Sequence, residues 1–104
     1  MILVLQGDGS VVLEQPTDFR RFHVEIAPCY AGVEQARAGF AAAGEIESAE
    51  TAWVEEDALF ALGEAAQGPG WREQAQAMVA TAARYGWVRE RAPRIKSHIV
   101  WRQG

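Results

Sequence analysis

The first apolar segments of the chain are short and are separated by turn-forming residues. Segments 2–6 and 11–15 are rich in β-forming residues, and Gly7 to Ser10 lies between them. Glycine and aspartate tolerate the backbone angles that tight hairpin loops require, so the pattern predicts a β-hairpin. Pro16 ends this pairing because proline has no N–H to donate to a neighbouring strand.

The next two segments change from a period of two to a helical period. From Arg20 to Ile26 apolar and polar residues alternate, which is typical of a strand with one solvated face. From Tyr30 to Ala43 the apolar residues recur at helical spacing, and Gly44 is suited to end that helix. A further strand is predicted over Glu45–Trp53.

The second half of the chain predicts two helices and a hairpin. Acidic residues at 55–57 favour a helix start, because carboxylates stabilise the positive end of the helix dipole. After a Gly-Pro-Gly turn at 68–70, the spacing predicts a helix over Trp71–Tyr85, with Gly86 as its left-handed terminal residue. Segments 87–91 and 95–102 then predict a β-hairpin.

Together these elements predict a small single α+β domain over residues 1–104. Strands and helices occur in separate blocks, which favours α+β over a doubly wound parallel sheet. We expect an antiparallel sheet built from the N-terminal hairpin, the Arg20–Ile26 strand and the C-terminal hairpin. About three helices are expected to pack on one face of it.

The order of elements resembles the winged-helix superfamily from about Tyr30 to Trp101. Helix, strand, helix, turn, helix and hairpin follow one another as in that fold, although no residue motif supports the resemblance. It implies that the last helix enters the major groove of DNA and that the hairpin contacts the adjacent backbone.

Charge divides the chain at the same Gly-Pro-Gly turn. Through Trp71 there are three cations and twelve carboxylates, a formal charge of −9, and from Arg72 onward seven cations and two carboxylates, a charge of +5. The basic side chains of the predicted hairpin are Arg89, Arg91, Arg94, Lys96 and Arg102. The main hypothesis is a non-enzymatic module that contacts a protein partner or a second copy of itself through this helix–hairpin half.

Two other interpretations of the basic half remain open. Lys and Arg on an edge hairpin also discourage aggregation, so the hairpin cations are consistent with a merely solvated face. Winged-helix-like nucleic-acid binding is possible but not favoured, because the solvated side of the last helix carries few cations and few long polar donors.

A different alternative depends on two histidines and a glutamate. His23 and Glu25 share one face of a predicted strand, and His98 lies on the solvated face of the last one. If those strands are neighbours, the three side chains can serve a small ligand-binding or metal-binding enzyme domain. No short metal-ligand spacing is present, so neither a metal nor a cofactor is predicted.

The remaining features have simple interpretations. Cys29, the single cysteine, is expected to be a small buried residue and fits a cytoplasmic protein. The four tryptophans either anchor helix–sheet junctions or line a pocket, and the anchoring role is favoured. No apolar run approaches the roughly 20 residues that span a bilayer, and the N-terminus lacks a signal-peptide pattern, so no membrane contact is expected.

Overall fold

The computed structural model describes residues 1–19, 21–68, 70–86, 88–89 and 94–102, with the backbone alone at Arg89. The strands are β1 (Ile2–Leu5), β2 (Val11–Glu14), β3 (His23–Ile26), β4 (Gly44–Ile46), β5 (Thr51–Glu55), β6 (Val88–Arg89) and β7 (Arg94–Trp101). The helices are α1 (Val33–Phe40), α2 (Glu56–Gln67) and α3 (Gly70–Arg84).

The N-terminal hairpin forms as predicted. β1 and β2 pair antiparallel, with Leu5 opposite Val11. In the loop between them Gly9 has a φ of 87°, and the Asp8 carboxylate accepts a hydrogen bond from the Ser10 amide at 2.9 Å. The turn chemistry of the sequence therefore fixes the start of the fold.

The third strand is shorter than predicted. β3 begins at His23, because the chain before it curls over the N-terminus instead of extending the strand. The Met1 ammonium group donates hydrogen bonds to the carbonyl oxygens of Asp18 and Arg21, at 2.6 and 2.5 Å.

The prediction of one strand over Glu45–Trp53 is wrong. This segment turns back on itself and gives β4 and β5, which pair antiparallel. The amides of Glu47 and Ser48 both donate to the carbonyl oxygen of Thr51. A tight polar turn thus divides the segment that the sequence predicts to be a single strand.

The predicted α+β class is confirmed, but the sheet is mixed rather than antiparallel. The strands lie in the order β2-β1-β3-β7-β5-β4, and β6 also pairs with β7. β3 is parallel to both of its neighbours, β1 and β7. These partners are distant in sequence, so a hairpin turn does not impose an antiparallel direction on them.

All three helices pack against one face of the sheet. In β7 the odd-numbered residues from Ile95 to Ile99 are buried and the even-numbered ones are exposed. Ile95 and Ile99 join a core cluster with buried residues of every helix, among them Phe40, Leu59 and Val79. Because α2 contacts both β2 and β5, which are separated in the sheet by three strands, the sheet curls around the helices.

The C-terminal half contains the predicted helix, turn, helix and hairpin in that order. Gly86 follows α3 with a φ of 75°, which agrees with its predicted left-handed conformation. β7 pairs with β5 on one edge and with β3 and β6 on the other, so the hairpin belongs to the large sheet. The winged-helix order stays a prediction. Among the described helices, none has the length and apolar character needed to cross a membrane.

Candidate ligand-binding groove

An open groove of about 1190 Å³ lies between α3 and the strands β3 and β7. We call it the α3–β7 groove. One wall is a face of α3, formed by Gln74, Ala77, Met78 and Thr81. These positions follow the i, i+3, i+4, i+7 spacing of one helix face, and the small side chains among them leave the space open.

Trp71, the first buried residue of α3, fixes the position of this helix wall. The indole of Trp71 lies against Gly63 of α2, where there is no side chain to displace it. Its Nε1 donates a hydrogen bond of 2.6 Å to the carbonyl oxygen of Pro16, which lies between β2 and β3. Trp71 thus fixes α3 to α2 and to the loop before β3.

The opposite wall contains aromatic side chains and the edge of β7. Phe19 and Phe22 precede β3, and β7 contributes four consecutive residues from Ile95 to His98. Successive side chains of a strand point to opposite faces, so a groove that reaches all four must open where one edge of β7 is unpaired among the described strands, between its pairing with β6 at Ile95 and with β3 at His98. Ile95 and Ser97 are on its inner side, and Lys96 and His98 on its outer side.

His23 and His98 lie next to each other at this groove. They are directly opposite in the parallel pairing of β3 and β7, and their rings are stacked with centroids 5.1 Å apart and planes 23° apart. His23 Nε2 lies 3.2 Å from Glu25 Oε2, within hydrogen-bond distance. The three residues of the sequence hypothesis therefore meet, although Glu25 itself does not line the groove.

Glu25 is engaged on its other side by an arginine. Arg102 Nε donates a 2.9 Å hydrogen bond to Glu25 Oε1, and the same guanidinium approaches Glu14 at 3.4 Å. Burial of Glu25 opposes its ionisation, but the hydrogen bonds from Arg102 and His23 outweigh it, so the pKa of Glu25 is lowered. The side chains of His23 and Glu25 are 18% and 17% exposed.

Two of the cations predicted to form a basic hairpin surface are paired within the fold. Arg94 pairs with Glu45 at 2.8 Å and Glu55 at 3.1 Å, and Arg102 is paired as described above. Lys96 is exposed and makes no ion pair with any residue that the structure describes. Arg91 and the side chain of Arg89 lie outside the described residues.

The other candidate features are located away from the groove. Cys29 is exposed, contrary to expectation, because it lies in the turn before α1 rather than on a buried helix face. Within the described ranges, no group of three His, Cys, Asp or Glu side chains is placed to hold a metal ion.

The described tryptophans lie outside the groove. Trp53, Trp71 and Trp101 each donate an indole hydrogen bond, and none of the three lines the α3–β7 groove. Trp71 joins a helix to other elements, as the predicted anchoring role requires, whereas Trp53 and Trp101 bind the turn between β4 and β5. Trp87 lies outside the described residues.

One of the few cations of α3 that could contact nucleic acid is paired within the fold. Arg72 at the start of α3 pairs with Glu64 at 2.5 Å and lies over the ring of Phe60, 4.8 Å from its centroid. That pairing leaves little positive charge on the solvated side of the helix. Nucleic-acid binding stays an untested prediction.

Sequence reasoning identified the histidines but not the groove that they border. The helix wall carries only small or unbranched residues, a composition that also suits a solvated helix face. A comparison of the chain with protein-family models, curated proteins and solved structures found no match in any of the three.

Proposed function

We propose that this protein is a non-enzymatic binding module whose binding surface is the α3–β7 groove, and that the groove takes a small apolar ligand. The observation that carries the proposal is the groove itself. Its volume of about 1190 Å³ slightly exceeds the roughly 300–1,000 Å³ typical of small-molecule sites. Its helix wall and its β7 residues belong to the C-terminal half for which the sequence predicts a binding role, and the aromatic residues before β3 come from the N-terminal half.

The lining of the groove supports an apolar occupant. Phe19, Phe22, Met78 and Ile95 offer aromatic and aliphatic contact surface, and most of the exposed area of the lining is apolar. Polar side chains lie on both walls of the groove. Burying half of a ten-carbon chain contributes about 4 kcal/mol before the lost translational and rotational freedom of the ligand is subtracted, from ~0.8 kcal/mol per methylene.

The non-enzymatic part of the proposal is supported by the position of Glu25. Arg102 and His23 both bind its carboxylate, so its oxygens are occupied by contacts within the fold. A cytoplasmic setting belongs to the same proposal and rests on the single cysteine.

The proposal is tested by closing the groove from its helix wall. In Ala77→Phe the new ring projects from the lining face of α3 into the groove, so binding of 1-decanol is expected to fall at least tenfold. Ala80→Phe is the matched control, because Ala80 is also exposed on α3 but does not line the groove. Titration calorimetry measures the affinity, and circular dichroism confirms that both variants fold.

Equal loss in the two variants, or decanol binding that survives Ala77→Phe, would refute the groove as the binding surface. The prediction of a protein partner or a second copy remains untested. Its electrostatic basis is weaker than the sequence indicates, since Arg94 and Arg102 pair within the fold.

A further inference from the structure

The charge of the groove lining is opposite in sign to that of the whole protein. The chain has a formal charge of −4, yet the described lining residues include Arg21 and Lys96, two histidines and no carboxylate. At physiological ionic strength charges are screened beyond about 8 Å, so a bound ligand interacts mainly with these nearby groups. Within that distance Asp18 lies 3.9 Å from Arg21 and Glu25 lies 3.2 Å from His23, so among the described residues the lining cation whose charge is not offset by an ion pair is Lys96.

Lys96 is the cation best placed to meet a negative charge on a ligand. Arg21 has a partner in Asp18, at 3.9 Å, and its side chain is 74% exposed. For Lys96 the described part of the chain supplies no ion-pair partner. His98 lies two residues further along β7 and on the same side of it, about 7 Å away along the strand.

Along β7, the cationic and the apolar lining residues lie on opposite sides of the strand. Lys96 and His98 are on the outer side of the strand, whereas Ile95 is on the inner side that faces the helices. The aromatic Phe22 and the α3 residue Met78 also line the groove. A ligand that fills the groove consequently meets an apolar end and a cationic end.

From this arrangement we infer that the ligand is an amphipathic anion, a molecule with an apolar body and a single carboxylate head. The body lies against α3 and the inner side of β7. The head binds the Lys96 ammonium group and accepts a hydrogen bond from the His98 ring. This inference rests on the proposed function and adds the chemical class of the ligand to it.

The head group is tested with three probes that share a ten-carbon chain. Decanoate carries a negative head, 1-decanol a neutral one and decyltrimethylammonium a positive one. Decanoate is expected to bind at least fivefold more tightly than decanol, and decyltrimethylammonium more weakly than either. Added salt should weaken decanoate binding alone.

A substitution at Lys96 assigns the preference to one residue. Lys96→Gln is expected to reduce decanoate affinity about fivefold, the factor for losing one partly exposed ion pair, and to leave decanol affinity unchanged. Arg84→Gln is the control, because Arg84 is exposed on α3 outside the groove. It also removes one positive charge, so it reproduces the change in net charge.

A second readout uses the fact that Lys96 is the only lysine of the chain. Reductive methylation with ¹³C-formaldehyde labels its ammonium group and keeps the charge, and its methyl resonance should shift with decanoate but not with decanol. If the three probes bind equally, or if Lys96→Gln and Arg84→Gln behave alike, the inference is overturned while the groove stands. If no probe binds, both the inference and the proposed function are overturned.

Discussion

The side chains of His23, Glu25 and His98 show how much of a site depends on strand order. Their positions on solvated strand faces follow from alternation in the sequence, which is why all three were candidates. Their proximity follows from the parallel pairing of β3 and β7, in which His23 lies opposite His98. That pairing joins segments about 75 residues apart, and no local pattern encodes it.

At the same scale, the Glu25–Arg102 pair makes stability depend on pH. Glu25 has a lowered pKa in the folded protein, so its ionised form stabilises the fold at neutral pH. This contribution is complete above the ordinary carboxylate pKa and is lost as the pH falls through the lowered one. Glu25→Gln should therefore reduce the free energy of unfolding by about 1 kcal/mol at pH 7 and by progressively less in acid.

Urea denaturation at a series of pH values measures this difference. Glu34→Gln is the control, since Glu34 also pairs with an arginine but is 90% exposed, and surface pairs contribute little. A constant difference between Glu25→Gln and the wild type from pH 7 to pH 3 would contradict the assigned role of Glu25.

Among the secondary-structure elements, the packing of α2 against α3 is the contact that positions the groove wall. A methyl group at Gly63 would overlap the six-membered ring of Trp71. In a solvated helix, Gly→Ala stabilises by up to about 1 kcal/mol, but overpacking a core contact costs about 1–3 kcal/mol. We expect Gly63→Ala to destabilise the protein by about 1–2 kcal/mol.

Thermal unfolding should show this as a fall of about 4–8 °C in Tm for each kcal/mol. Gly70→Ala is the matched control, because a methyl group at Gly70 meets no atom within 4 Å. Equal Tm values for the two variants would mean that the Trp71 ring does not pack against α2 as described.

Most elements could be predicted from the sequence, because each depends on a local signal. The Gly7–Ser10 turn, the helical spacing over 71–85 and the left-handed Gly86 are examples. The errors have different causes. The turn that divides β4 from β5 is local, with the Glu47 and Ser48 amides bound to the Thr51 carbonyl oxygen, but residues 47–50 contain no glycine or proline to mark it. The early end of β3 depends on the Met1 ammonium group, which binds the carbonyl oxygens of Asp18 and Arg21, 17 and 20 residues away in sequence.

Across the whole molecule, the division of charge has a different meaning from the one that the sequence indicates. The basic C-terminal half and the acidic N-terminal half come together inside one domain, where Arg94 binds Glu45 and Glu55, and Arg102 binds Glu14 and Glu25. Each such pair contributes about 0–1 kcal/mol. Among the described cations of the basic half, Lys96 borders the groove and has no such pairing. The binding proposal depends on that residue.

The groove could not be predicted from sequence because it is a space between elements. Ala77 and Thr81 on α3 and Phe19 before β3 come from segments that the fold brings together only through Trp71 and the mixed sheet. Composition shows that these residues are small or apolar. It does not show that they face one another.

The most direct test of the account is to map decanoate binding on the backbone by ¹H–¹⁵N NMR. We expect the shifts to be confined to three segments, which are residues 74–82 of α3, residues 95–98 of β7 and the residues leading into β3. Shifts that concentrate on the opposite side of the sheet, or that spread evenly over the chain, would contradict the assignment of the α3–β7 groove as the binding site.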